Sequence, residues 1–238
     1  MAKITQHNIL RLGISLGAIV LPIALLVSGI YGSFVFTFSI PLLWQIGFLG
    51  KPLTSLGLRG KLVKSSMTAG LLTGCLLGFL GGYLLKVLGI TGYVYSAVDQ
   101  LKLSAGIYEI AFPLQKELGY RLLTASNSPV GLLIYLLFCI FLIGLGEEIF
   151  WRGFLQQKFA SRMSVRSAIW LTALLFALTH FYIFAILPIN LGLCFLILIG
   201  LAGVVWGYLF RNFNNLWVSV FSHGMTAFII WKYYFFKA

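Results

Sequence analysis

Few residues of this chain can do chemistry in an apolar setting, and two of them are adjacent. Glu147 and Glu148 lie in Gly144-Leu-Gly-Glu-Glu-Ile-Phe-Trp-Arg-Gly153, with Arg152 four residues after the second. The chain has only five acidic residues, and the other three, Asp99, Glu109 and Glu117, fall in one polar connecting segment. An ionisable group at membrane depth costs roughly 2.5–3.5 kcal/mol on insertion scales, so groups retained there mark functional sites by default. Positions four apart share one face of an α-helix. The spacing therefore pairs Arg152 with Glu148 and leaves Glu147 to face a cavity. An ion pair that merely locks two helices would explain Glu148 and leave Glu147 without a partner.

Three histidines complete the inventory. His7 lies in the N-terminal tail and reads as solvated. His180, in Phe176-Ala-Leu-Thr-His180, is placed deep in a span, and His223, in Ser219-Val-Phe-Ser-His223, falls about a third of the way into the last one. Two imidazoles in separate helices, at comparable depth to a carboxylate pair, point to a shared polar site. Two chemistries are open to it. The carboxylate and imidazoles can hold a catalytic divalent metal such as zinc, with water in the open position. Alternatively, with no cofactor, Glu147 acts directly as general base on water while the histidines polarise a carbonyl or stabilise its oxyanion. Both lead to hydrolysis of an amide bond. HExxH and a pair of aspartates are both absent from the sequence, which excludes the common metalloprotease and aspartyl patterns.

Composition fixes the setting. Hydrophobic residues make up 60 % of the 238 positions and charged residues only 9 %, with a mean hydropathy of +0.99. Soluble domains carry about 25 % charged residues. The chain reads as one integral membrane domain over 1–238, all-α, a polytopic transmembrane bundle of about seven or eight spans at roughly 20 residues each. The formal charge of +12 reflects topology rather than nucleic-acid binding, because the basic residues sit in short segments between apolar runs. Cys75, Cys139 and Cys194 each lie within an apolar run without CxxC spacing and read as small packing residues.

In chain order, the expected spans are about Ile9–Ile30 (a retained helix rather than a cleaved signal), Phe34–Leu49, Met67–Ile90, Val130–Gly146, Ala168–Ile186, Leu191–Phe210 and Leu216–Phe235. Gly70, Gly74 and Gly78, at every fourth position, give the third span a flat face for close helix packing. The 104–118 stretch has the mixture of an interfacial amphipathic helix, interrupted by Pro113. With the N-terminus inside, eleven basic residues fall in inner segments (Lys3, Arg11, Lys51, Arg59, Lys61, Lys64, Arg152, Lys158, Arg162, Arg166, Arg211). Six fall in outer ones (Lys86, Lys102, Lys116, Arg121, Lys232, Lys237). This bias places the N-terminus and the Glu pair near the cytoplasmic side.

At these residues the sequence resembles the CAAX-protease and bacteriocin-processing (CPBP, or Abi) family of intramembrane endopeptidases. The EExxxR motif matches Glu147, Glu148 and Arg152, and FxxxH matches Phe176 and His180. A third motif, a histidine followed four residues later by Asn or Asp, matches at His223 and departs at Ala227. The resemblance covers about 130–235. It implies a helical fold with a conical active-site cavity embedded in the membrane and open to the cytoplasmic side. It also implies Glu147 as the water-activating base, with His180 and His223 as its partners. Family members have been described both as metalloproteases and as glutamate proteases. Ala227 offers a methyl where the family has an amide or carboxylate; the nearby hydroxyls of Thr226 and Ser222 lie at other angles of the helix.

The resulting expectation is a multi-pass plasma-membrane endopeptidase, CAAX-prenyl-protease-like, with Glu148 and Arg152 as an orienting pair. Its partners are a peptide or protein substrate and membrane lipid. A non-catalytic immunity or binding protein that keeps the polar cavity is the alternative, with Ala227 as its support. A proton-coupled transporter is a third reading, disfavoured by the absence of an inverted repeat.

Overall fold

The computed structural model describes residues 43, 47, 49–60, 63–94, 126–185 and 187–235. The first expected span, nearly all of the second, the 104–118 stretch, His7, Asp99, Glu109 and Glu117 lie outside the described residues. The described elements are a short 3-10 turn (Leu53–Leu56) and five helices: α1 (Val63–Val87), α2 (Pro129–Ala160), α3 (Val165–Leu178), α4 (Ile189–Phe213) and α5 (Leu216–Ile230). A second 3-10 turn, Phe181–Ala185, follows α3, and α5 continues as a π-helical end, Trp231–Phe235. No strand occurs among the described residues. Three of the helices, α1, α2 and α4, are long and apolar enough to cross a membrane, which identifies a helical integral membrane protein.

Local sequence sets the boundaries. Ser128 caps α2 by accepting from the Gly131 amide, with Pro129 in the first turn. Ser164 does the same for α3 through Ser167. Each cap satisfies an amide that the helix itself leaves open. Asn214 takes a left-handed conformation (φ 48°) to end α4, and Asn215 caps α5 by accepting from the Trp217 amide. The same turn is tied to the segment before α1: Asn215 Nδ2 donates to the Arg59 carbonyl, and the Leu216 amide donates to that of Gly57.

Two expectations are corrected. The helix that carries the Glu pair does not end at Gly146. It runs to Ala160, so the stretch left between the expected spans ending at Gly146 and beginning at Ala168 shrinks to the turn around Ser161–Ser164. Arg152, counted among the inner-loop charges, is completely buried within α2. A charge stays inside a helix bundle only when it is paired, and Arg152 is. His180 is not deep in a helix either. α3 ends at Leu178, and both the Thr179 hydroxyl and His180 Nδ1 donate to the Phe176 carbonyl. Those bonds take the place of the next helical amide and let the chain turn.

α5 is the centre of the bundle, with most of its residues buried. Against α1 the contact is a matter of shape. Gly70, Gly74, Gly78 and Gly82 are all buried. A methyl added at Gly70 would stand 2.5 Å from the Val218 carbonyl oxygen, and one at Gly74 would stand 2.6 Å from that of Ser222. The glycine face read from the sequence is therefore the α1–α5 interface. α2 crosses α5 just as closely, at Gly144 and Gly224; a methyl at Gly144 would lie 2.5 Å from the Val220 carbonyl oxygen. In lipid, where apolar burial gives helices no preference for one another, such small-residue contacts let backbones meet and gain dispersion. The second crossing brings the Glu pair onto α5.

Candidate active site

Glu147 and Glu148 occupy a single α-helical turn, Leu145–Glu148, between two π-helical stretches of α2, Cys139–Gly144 and Ile149–Gln156. π-helical insertions inside α-helices occur frequently at functional sites. The second stretch carries Arg152, and all eight of its residues are buried.

The network is built on Glu148. Its Oε1 accepts from Arg152 Nη1 at 2.6 Å and from His223 Nδ1 at 2.9 Å, with both Glu148 and Arg152 fully buried. The remaining arm of the guanidinium, Nη2, donates to the Gly203 carbonyl of α4 at 2.9 Å. The guanidinium carbon also lies 5.1 Å from the Phe176 ring centroid and 5.3 Å from that of Trp206. One cation thus joins α2, α3 and α4. Charge-assisted bonds of this kind are shorter and stronger than neutral ones.

The bond to Glu148 fixes what His223 offers. A carboxylate oxygen accepts, so Nδ1 donates to it, and Nε2 faces the other way. Nε2 stands 3.9 Å from Glu147 Oε2. Glu147 retains 19 % side-chain exposure, against none for Glu148. The adjacent carboxylates thereby differ in setting: one is sealed in an ion pair, and the other keeps some exposure beside an imidazole nitrogen.

His180 and His223 line one cavity of about 290 Å³, whose walls are otherwise almost wholly apolar and come from α1, α3, α4 and α5. The Phe176 ring makes edge contacts with both imidazoles, at 5.0 Å to His180 and 5.8 Å to His223. Glu147, expected to face a cavity, is not among the residues that line this one; it stands behind His223, 3.9 Å from Nε2. Ala227 lines the cavity as well. Neither neighbouring hydroxyl replaces the missing side chain there: Thr226 Oγ1 donates to the Ser222 carbonyl, and Ser222 is fully buried with its Oγ accepting from Trp206 Nε1. As for a metal, no three His, Cys, Asp or Glu side chains among the described residues converge closely enough to hold one.

Sequence reading misses Trp206, Gln156 and the site role of Gly203 and Gly207. Trp206 lies face to face with His223. Gln156 Nε2 donates to the Gly207 carbonyl, repeating one turn on what Arg152 does at Gly203. The available signal was Gly203-Val-Val-Trp-Gly207, a small-xxx-small pattern enclosing a tryptophan.

Fold and site together define a helical membrane protein with a buried carboxylate–guanidinium–imidazole network beside an apolar cavity. Residues 129–229, from the first residue of α2 almost to the end of α5, match the family described as type II CAAX prenyl endopeptidase, Rce1-like. This segment, which contains every residue of the network, is similar to that family. No curated protein and no solved structure matches the chain.

Proposed function

We propose that the protein is an intramembrane endopeptidase in which Glu147 activates the water that cleaves a peptide bond. The observation that supports this best is the chain Arg152–Glu148–His223–Glu147, in which a sealed ion pair orients the imidazole next to an accessible carboxylate. Water held between Glu147 and His223 Nε2 gives its proton to Glu147 as its oxygen bonds to the peptide carbonyl carbon. The C–N bond then breaks, and the same proton passes to the leaving amine. Glu148 and Arg152 touch no substrate; they hold His223. His180, on the same cavity, is the second group suited to the substrate carbonyl. The apolar walls suit a hydrophobic or lipid-modified segment, in line with the family description; our reading puts the site near the cytoplasmic side of a plasma membrane, a side supported by the excess of basic residues in the inner segments.

The test uses purified full-length protein in detergent with a peptide ending in a farnesylated CAAX sequence, and its unmodified counterpart as control. Glu147→Gln is expected to lower turnover at least about a hundredfold, the scale of a lost general base. Turnover that survives the substitution would refute the assignment.

Ala227 favours one rival reading. With a methyl on the cavity wall and the Thr226 hydroxyl committed to backbone, an oxyanion has one donor fewer than the motif supplies. A non-catalytic immunity protein that uses the cavity for binding fits that arrangement. Protection of cells from a membrane-active peptide that persists in the Glu147→Gln variant would select it.

A further inference from the structure

We infer that Trp206 is a positioning residue for His223, a role that rests on reading His223 as the partner of Glu147. The indole and the imidazole lie face to face, 4.0 Å between centroids and 15° between planes. Phe176, in contrast, meets His180, His223, Trp151 and Trp206 edge-on. A face contact does what an edge contact does not. It confines the ring to one plane, so the imidazole keeps Nδ1 on Glu148 and Nε2 toward Glu147.

The indole is itself fixed on several sides. Its Nε1 donates at 3.1 Å to the hydroxyl of Ser222, the residue immediately before His223. Trp206 therefore grips α5 twice, at one residue through a hydrogen bond and at the next through its ring. The Arg152 guanidinium lies 5.3 Å from the indole centroid, within the range of a cation–π contact. The residues that flank it on α4, Gly203 and Gly207, accept from Arg152 and Gln156 of α2. A side chain at Gly203 would crowd Arg152 Nη2, 3.3 Å from where its methyl would stand. The helix that carries Trp206 is thus registered against the helix that carries the Glu pair. Trp206 is 4 % exposed and forms part of the cavity wall, so its effect on orientation has to be separated from its effect on shape.

Trp206→Phe keeps a flat face, whereas Trp206→Leu fills much of the same space without one. The first readout needs no substrate: ¹⁵N spectra of histidine-labelled full-length protein in detergent, simple to assign with three histidines in the chain. The wild type and Trp206→Phe are expected to show His223 as a single tautomer with the proton on Nδ1, and Trp206→Leu a mixture. In turnover of the farnesylated peptide, Trp206→Leu is expected to lose kcat by about a hundredfold, the scale of a misplaced catalytic group, with little change in KM. Trp206→Phe retains most of kcat. A wild-type spectrum in Trp206→Leu, or a loss confined to KM, overturns the inference. Should Trp206→Leu fail to accumulate, Ser222→Ala removes only the acceptor of the indole N–H. An altered His223 signal then supports the role, and an unaltered one overturns it. Full turnover by Glu147→Gln together with a lost tautomer in Trp206→Leu would sink the hydrolase reading and leave Trp206 its role.

Discussion

The two close crossings of α5 both rest on glycines but differ in what else they carry. Toward α1 it meets a stripe of glycines, and the contact depends on the absence of side chains. Toward α2 and α4 it meets Glu148 and Trp206 besides Gly144, and the contact depends also on particular atoms. The first interface tolerates nothing larger but asks for no chemistry. The second can be emptied of function by changes that leave every volume the same. One helix thus holds the bundle together with one face and the site with another.

The largest effect expected from breaking this contrast is at Arg152. Arg152→Ala leaves Glu148 buried with no cation, a change that costs about 3–5 kcal/mol for a buried pair broken on one side. Thermal unfolding in detergent should show it as a large loss of stability. If Arg152→Ala is as stable as the wild type, the ion pair is not holding α2 to α4. Overpacking the other interface comes next. Gly74→Leu forces a side chain against the Ser222 carbonyl and Met225, and overpacking of this kind costs about 1–3 kcal/mol. Its signature is lost stability, with residual turnover in proportion to the folded fraction. An unchanged melting profile would mean that α1 is not seated on α5 as described. The smallest effect is expected at Gln156, whose single described hydrogen bond goes to Gly207. Gln156→Ala removes about 1 kcal/mol, and a change of several kcal/mol would show that it does more than register the two helices.

Much of the site was legible because charge is scarce in this chain. With so few acids, the Glu pair stood out, and the four-residue spacing to Arg152 was enough to indicate the ion pair. The glycine stripe of α1 was legible for a similar reason, since a four-residue repeat of the smallest side chain has few other uses in a membrane helix. The helix that carries the pair was cut short because Arg152 resembles a loop charge until its partners are known. Those partners, the Gly203 carbonyl and the Phe176 and Trp206 rings, come from other helices, and periodicity along one segment does not reveal them. His180 was placed inside a helix because nothing in Ala-Leu-Thr-His announces a stop. The helix ends there because two side chains compete for the Phe176 carbonyl. The bond between Glu148 and His223 spans 75 positions of sequence, and only the crossing at Gly144 and Gly224 makes it.

The most direct test of the central claim, that Glu147 and His223 act as one unit on water, is a double-mutant cycle on kcat/KM. Glu147→Gln, His223→Ala and the pair are compared on the same farnesylated peptide. Residues that work as a unit are grossly non-additive. The double variant is expected to be no slower than the slower single one. Losses that multiply would mean that carboxylate and imidazole act independently, which contradicts a shared water.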